Sequence, residues 1–438
     1  MSSAGNFQIP QHDPTRLPYP LGEDFAPKLV PQLSRARMLW LEIKKLYPEF
    51  SIRIEHHVLC LLAHPDYFKE KGALSLLLSA SILKRLLESV SPFAKHYMLH
   101  SSALKGVGFQ NAWGHASYRA PIERPELTDE YVQEADVYEI RQSKYYEQRF
   151  RTSPGLKGLS THNEYEDNEC RHRDLNQCKI SGWRKENTEP YIFCFIPPGW
   201  NNTVDNNNAT GNLLPSGRIL TNVDLLDDII SPYELGKTHK AWNMISVHAD
   251  LFQALSRGLC ALKYENVEPH QEGDVNVFNV VCRFYWMPQL TPRFNKEAPG
   301  SAEVNVLLEE FNQFFKGNCP PPPIYPSKSP AQPRSGNVIK LKRKKADVQK
   351  TISAIKVHWG CILYTALCGG AGRPQFLTGM DQSDGSLKPR DKEFMAAQAM
   401  LEKDVKVSEA TGRLPSGSGY GTETTGTTES EADVARGA

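Results

Sequence analysis

With 438 residues, the chain is long enough for two or three domains and at least one well-buried core. Its 51 Lys plus Arg against 50 Asp plus Glu exclude a general attractive field, so any nucleic-acid surface has to be a local patch. Nine cysteines without regular spacing exclude an obvious disulfide framework and fit reduced thiols in an intracellular compartment.

Residues 1–30 are expected to be a disordered tail, because Pro10, Pro14, Pro18, Pro20 and Pro27, with Pro31 just beyond, interrupt every regular element. The start also lacks the basic residues and apolar run of a signal peptide, so secretion is not expected and the nucleus or cytoplasm is. Residues 31–151 read as a helical region. Met38, Leu39, Leu41, Ile43 and Leu46 form an apolar-rich run that ends at Pro48, Ile54–Ala63 forms a second, and Ala73–Val90 a third. In the third, Leu74, Leu78, Ile82 and Leu86 recur every four residues, a helical spacing. Asp129–Tyr146 adds a charged surface helix, and Pro154, Gly155 and Gly158 mark a connection.

Residues 160–295 turn towards strands. Cys178–Gly182 and Tyr191–Ile196 predict a hairpin across the polar Lys185–Glu189. Asn-rich 201–212 reads as a flexible insertion, Leu220–Ile230 and Trp242–Ala254 as helices, and Val275–Trp286 as a buried strand. Residues 300–370 form a C-terminal helical segment. There Val304, Leu307, Leu308, Phe311 and Phe315 share one helix face, Pro320–Pro323 stiffen a linker, and a last helix covers Asp347–Leu367. Residues 371–438 form a second polar tail. The most apolar stretches, near Ala73–Leu83 and Trp359–Leu367, are too short to cross ~30 Å of hydrocarbon, so no membrane partner is expected.

Two segments carry a resemblance. One runs Arg173-Asp174-Leu175-Asn176-Gln177-Cys178-Lys179-Ile180-Ser181-Gly182 and continues at Phe193-Cys194-Phe195-Ile196-Pro197-Pro198. The other runs Asn243-Met244-Ile245-Ser246-Val247-His248-Ala249-Asp250-Leu251-Phe252, then Arg257-Gly258-Leu259-Cys260-Ala261-Leu262-Lys263, then Phe284-Tyr285-Trp286. Their order and spacing resemble the HNH nuclease domains found in many fungal proteins. The resemblance implies a central ββα-metal domain with additional strands; with the helical regions and tails read above, the expected fold is α+β, with an N-terminal helical region, this central domain, a C-terminal helical segment and disordered tails.

In that family a His at the strand end takes a proton from the attacking water, an Asn orients the loop, and a His on the helix helps hold a divalent metal. The resemblance places these roles at Phe195, Asn243 and Phe252, and neither phenylalanine can accept a proton or ligate a cation. The expected function is therefore a catalytically impaired relative that binds nucleic acid or protein and needs no cofactor. One alternative is an active endonuclease with Mg²⁺, Mn²⁺ or Zn²⁺ in a rearranged site built from His248 and Asp250, with His239 near in sequence. Another is a structural interaction protein that binds through its helical N-terminal region.

Other groupings read more plainly. The basic run Lys342, Arg343, Lys344 and Lys345, opened by Lys340, is a candidate phosphate contact or a solvated helix flank. His57, Cys60 and His64, and likewise His96 and His100, share helix faces but have no evident further ligand, so they read as packing residues. Cys170, Cys178 and Cys194 with His172 lack the paired Cys-x-x-Cys of a structural zinc site, and no metal site is assigned.

Overall fold

The computed structural model describes residues 21–101, 163–184, 189–201, 204–225, 235–270, 276–294, 296–300, 302–316 and 333–373. The chain divides into two compact units, 1–103 with 115–386 and 104–114 with 387–438, of which the second lies wholly outside the described residues. The first unit is a mixed α+β body. Its helices are α1 (Leu21–Leu46), α2 (Ile54–Leu62), α3 (Ala80–Ser101), α4 (Glu164–Arg173), α5 (Val204–Thr221), α6 (Ala249–Ser256), α7 (Ala302–Lys316) and α8 (Lys345–Leu367). Its strands are β1 (Tyr191–Cys194), β2 (Met244–Val247), β3 (Cys260–Pro269), β4 (Val277–Trp286) and β5 (Val338–Lys344). No helix among the described residues is long and apolar enough to cross a membrane.

β1 and β2 pair antiparallel, with Tyr191 opposite Val247 and Cys194 opposite Met244, and α6 follows β2 directly. A separate antiparallel sheet has the order β3-β4-β5, with a bulge between Tyr264 and Asn266. α8 contacts α3, α5 and β3. Every residue from Gly360 to Leu367 is buried, as expected of a helix enclosed on all sides. Trp200, Trp286, Tyr97, Tyr364, Phe93 and Phe195 are among the largest fully buried side chains. Gly217 on α5 lies against the Phe93 ring of α3, where any Cβ would collide.

Val304, Leu307 and Phe311 are buried along α7, β4 covers nearly all of its expected span, and α8 coincides with the expected last helix. Other expectations are corrected. α1 begins at Leu21, inside the stretch assigned to a tail, and includes Pro27 and Pro31; each proline forfeits one backbone hydrogen bond without ending the helix. α3 begins at Ala80, because the Ser79 hydroxyl and carbonyl accept the N–H groups of Ile82 and Leu83.

Cys178–Gly182 is a turn, not a strand: Gly182 N–H bonds the Cys178 carbonyl, and β1 finds its partner in β2. The Asn-rich stretch is largely helix α5; Asn201, just before it, donates to Asn207 at 2.6 Å, and Thr210 donates to the Trp200 carbonyl at 2.9 Å. That helix stops at Thr221, where Asn222 takes φ 53°, so no helix runs on through 222–225. Trp242–Ala254 divides into a short 3₁₀ turn at Ala241–Asn243, strand β2 and helix α6. Lys340–Lys344 belong to strand β5, and residues 371–373 of the expected tail stay attached, since Gly372 N–H bonds the Arg257 carbonyl at 2.8 Å. The expected elements at 129–146, 152–160, 226–230 and 320–323, and the tails at 1–20 and 374–438, lie outside the described residues.

Candidate functional site

The resemblance residues meet where β1 ends and β2 begins. Asn243, fully buried on its 3₁₀ turn, accepts the Ile196 N–H on Oδ1 at 2.9 Å and donates from Nδ2 to the carbonyls of Ile196 (2.6 Å) and Thr238 (2.8 Å). Its own carbonyl accepts the Phe195 N–H at 3.0 Å. One amide side chain thus continues the ladder past the end of β1 and fixes the backbone at 195–196.

Phe195 is 0% exposed. Its carbonyl accepts the Tyr97 hydroxyl of α3 at 2.7 Å, and that hydroxyl also meets Nδ1 of His358 on α8 at 2.7 Å. A carbonyl can only accept, so the tyrosine proton goes to Phe195 and Nδ1–H of His358 donates to the tyrosine oxygen. Nε2 of His358 is then a bare lone pair without a hydrogen-bond partner among the described residues. The rings of Phe193 and Phe195 stand edge-on to this imidazole, with centroids at 5.5 and 5.7 Å. Burial pushes the pKa of His358 down to about 3. Phe252 on α6 is half-buried and joins the same aromatic group through Phe193 (6.4 Å) and Tyr191 (5.3 Å). Phe193 therefore contacts both Phe195 and Phe252.

The proposed substitutes are occupied elsewhere. His248 caps α6, its Nδ1 accepting the Leu251 N–H at 3.4 Å, with the Trp183 ring edge-on at 5.7 Å. Burial pushes its pKa down against the pull of Asp250, whose carboxylate is 3.9 Å from Nδ1. It is a buried helix cap. His239 bonds Asn163 N–H through Nδ1 at 2.9 Å and Asp167 through Nε2 at 3.1 Å, so both ring nitrogens are engaged. Among the described residues no three His, Cys, Asp or Glu gather in a group that could hold a metal.

The basic run is divided by strand alternation. Arg343 is buried and donates to the carbonyls of Trp242 (3.3 Å), Met244 (2.9 Å) and Lys342 (2.9 Å) and to the Thr351 hydroxyl (3.1 Å). It is a clamp on the backbone before β2, which corrects its reading as a phosphate contact. Lys344 pairs with Glu169 at 3.0 Å, Lys340 pairs with Glu268 at 2.7 Å, Lys342 is half-buried, and Lys345 opens α8 exposed.

Of the plainer groupings, His57, Cys60 and His96 are buried packing residues, whereas His64 is exposed beyond the end of α2. His57 donates from Nε2 to the Ala298 carbonyl at 2.9 Å, His64 accepts the Asp66 N–H, and Cys60 is buried. His96 bonds Thr210 at 2.8 Å and stacks on Trp200; the His100 side chain lies outside the described set. Cys170 sits against Arg173 and Asp174, with its thiol pushed up to about 11 mainly by burial. Tyr97, His358 and Lys179 were not distinguishable in the sequence, because each owes its setting to residues far away along the chain. Comparison with protein-family models, with curated proteins and with solved structures finds no match.

Proposed function

We propose that the chain is a non-cutting relative of HNH-type nucleases that retains the scaffold as a module for binding nucleic acid or protein. The observation that carries the reading is the sealed aromatic group at the end of β1. Where the resemblance calls for a base, Phe195 lies fully buried beneath Tyr97 and His358, and Phe252 packs into the same group through Phe193. Hydrocarbon there neither takes a proton from water nor binds a cation, while Asn243 keeps the loop-orienting role that needs no reactivity.

A supercoiled-plasmid nicking assay with Mg²⁺, Mn²⁺ or Zn²⁺ tests this, and no nicking by the unmodified chain is expected. Cleavage by that chain which disappears in His248→Ala overturns the reading. Cleavage found only in the Phe195→His, Phe252→His double variant supports both the ancestry and the loss.

A further inference from the structure

Next to β2, cations outnumber carboxylates among the described residues. Arg173 and Arg343 both donate to the Met244 carbonyl, at 2.7 and 2.9 Å, so two guanidinium groups stand on one oxygen. The carboxylate facing them is Asp174. Its oxygens already accept from Arg173 at 2.9 and 3.1 Å and from the Ser246 N–H at 2.8 Å.

Lys179 lies beside this cluster because its backbone N–H bonds the Ser246 carbonyl at 2.7 Å, which holds the Cys178–Gly182 turn against β2. The side chain is half-buried, and its ammonium meets no carboxylate and no hydrogen-bond acceptor among the described residues. Of the four charged groups acting on it, Arg173, Arg343 and Lys342 are cations and Asp174 alone is an anion. Burial first, and then these cations, push the ammonium below its ordinary pKa. A partly desolvated cation among like charges weakens a fold unless something outside the chain uses it.

We propose that Lys179, backed by the Arg173–Arg343 pair, is a binding site for a phosphate group. Lys179 supplies the direct contact, with three N–H donors and no acceptor for them among the described residues. The guanidinium groups are engaged with the carbonyls of Ala241, Trp242 and Met244, so they act through their charge. The phosphate belongs to a nucleic-acid backbone. That source rests on the binding-module reading above, whereas the phosphate site stands on the charge geometry alone.

The test uses the full chain and two probes, inorganic phosphate followed by thermal shift and a labelled DNA duplex followed by anisotropy across a salt series. Phosphate is expected to raise the melting temperature of the unmodified chain and not that of Lys179→Met. Duplex affinity should fall roughly fivefold in Lys179→Met, and the slope of log K against log salt should drop by about one. Lys179→Met alone should melt no lower than the unmodified chain, since it removes an uncompensated cation and keeps the apolar stem. Lys179→Arg, which keeps the charge, should retain binding. Phosphate stabilisation that needs Lys179, without duplex binding, supports the site and overturns the nucleic-acid source. Probes that leave the unmodified chain unchanged, or that act equally on Lys179→Met, overturn the proposal. Neither arm reads cleavage, so the plasmid assay can fail or succeed independently.

Discussion

Tyr97 carries more than its size suggests. Its single proton satisfies the Phe195 carbonyl, and its oxygen satisfies Nδ1–H of His358, so one hydroxyl serves two buried groups on different elements. Tyr97→Phe leaves both without a partner and should cost about 2–6 kcal/mol, because each orphaned buried group loses roughly 1–3 kcal/mol. Adding His358→Leu removes one orphan together with the bare Nε2, so the double variant should be less damaged than the two single costs added. A urea-unfolding cycle measures the coupling. Strict additivity would show that the three groups do not form one network.

At the scale of elements, β5 and α8 hold the β1–β2 pair through Arg343. The guanidinium satisfies two carbonyls just before and at the start of β2, and Thr351 of α8 joins it on the Trp242 carbonyl at 2.9 Å. Burial and the neighbouring Arg173 push its pKa down to about 9, which still leaves a cation at neutral pH. Arg343→Ala should therefore destabilise by roughly 3–5 kcal/mol, as expected when a buried charged donor is removed from its partners. Lys342→Ala, one residue away on the opposite face of the strand, should change little. Thermal unfolding of both separates a clamp from a surface patch, and equal small effects would disprove the clamp. The period-two signal for β5 was present in Val338, Ile339, Lys340, Leu341, Lys342 and Arg343, but the density of charge concealed it. α7 was legible because Val304, Leu307 and Phe311 form one apolar stripe on a helix that buries a single face. β2 was not, since all four of its residues are buried and alternation vanishes. The residues brought together at Phe195 were named in the sequence, but their cover was not, because Tyr97 and His358 lie 98 and 163 positions away, on α3 and α8.

Across the whole unit, imidazoles are buried where no charge can be tolerated. His56 stacks on Phe50, His96 stacks on Trp200, and His358 faces Phe193 and Phe195. Burial pushes each of the three from an ordinary 6.5 down to about 3, with Arg53 adding to the effect at His56. The unfolded chain takes up protons at these positions near pH 6.5, and the folded chain refuses them until about pH 3. Stability from this source is thus complete above 6.5 and is lost as the pH falls from 6.5 towards 3. These three protons alone correspond to a slope of at most about 4 kcal/mol per pH unit, and His57 and His248, also pushed down by burial, add to it in the same direction. A domain with roughly 5–15 kcal/mol to lose should then unfold in mild acid. Carboxylates such as Asp174, held below the usual carboxylate range, contribute only at the acid end of this window, where unfolded carboxyls begin to take up protons. Urea unfolding between about pH 7.5 and 4.5 should show the decline, and His358→Leu should remove up to about 1.4 kcal/mol per pH unit of its slope. A flat profile down to pH 5 would show that these imidazoles reach water in the native state, and the sealed group over Phe195 would have to be open as well.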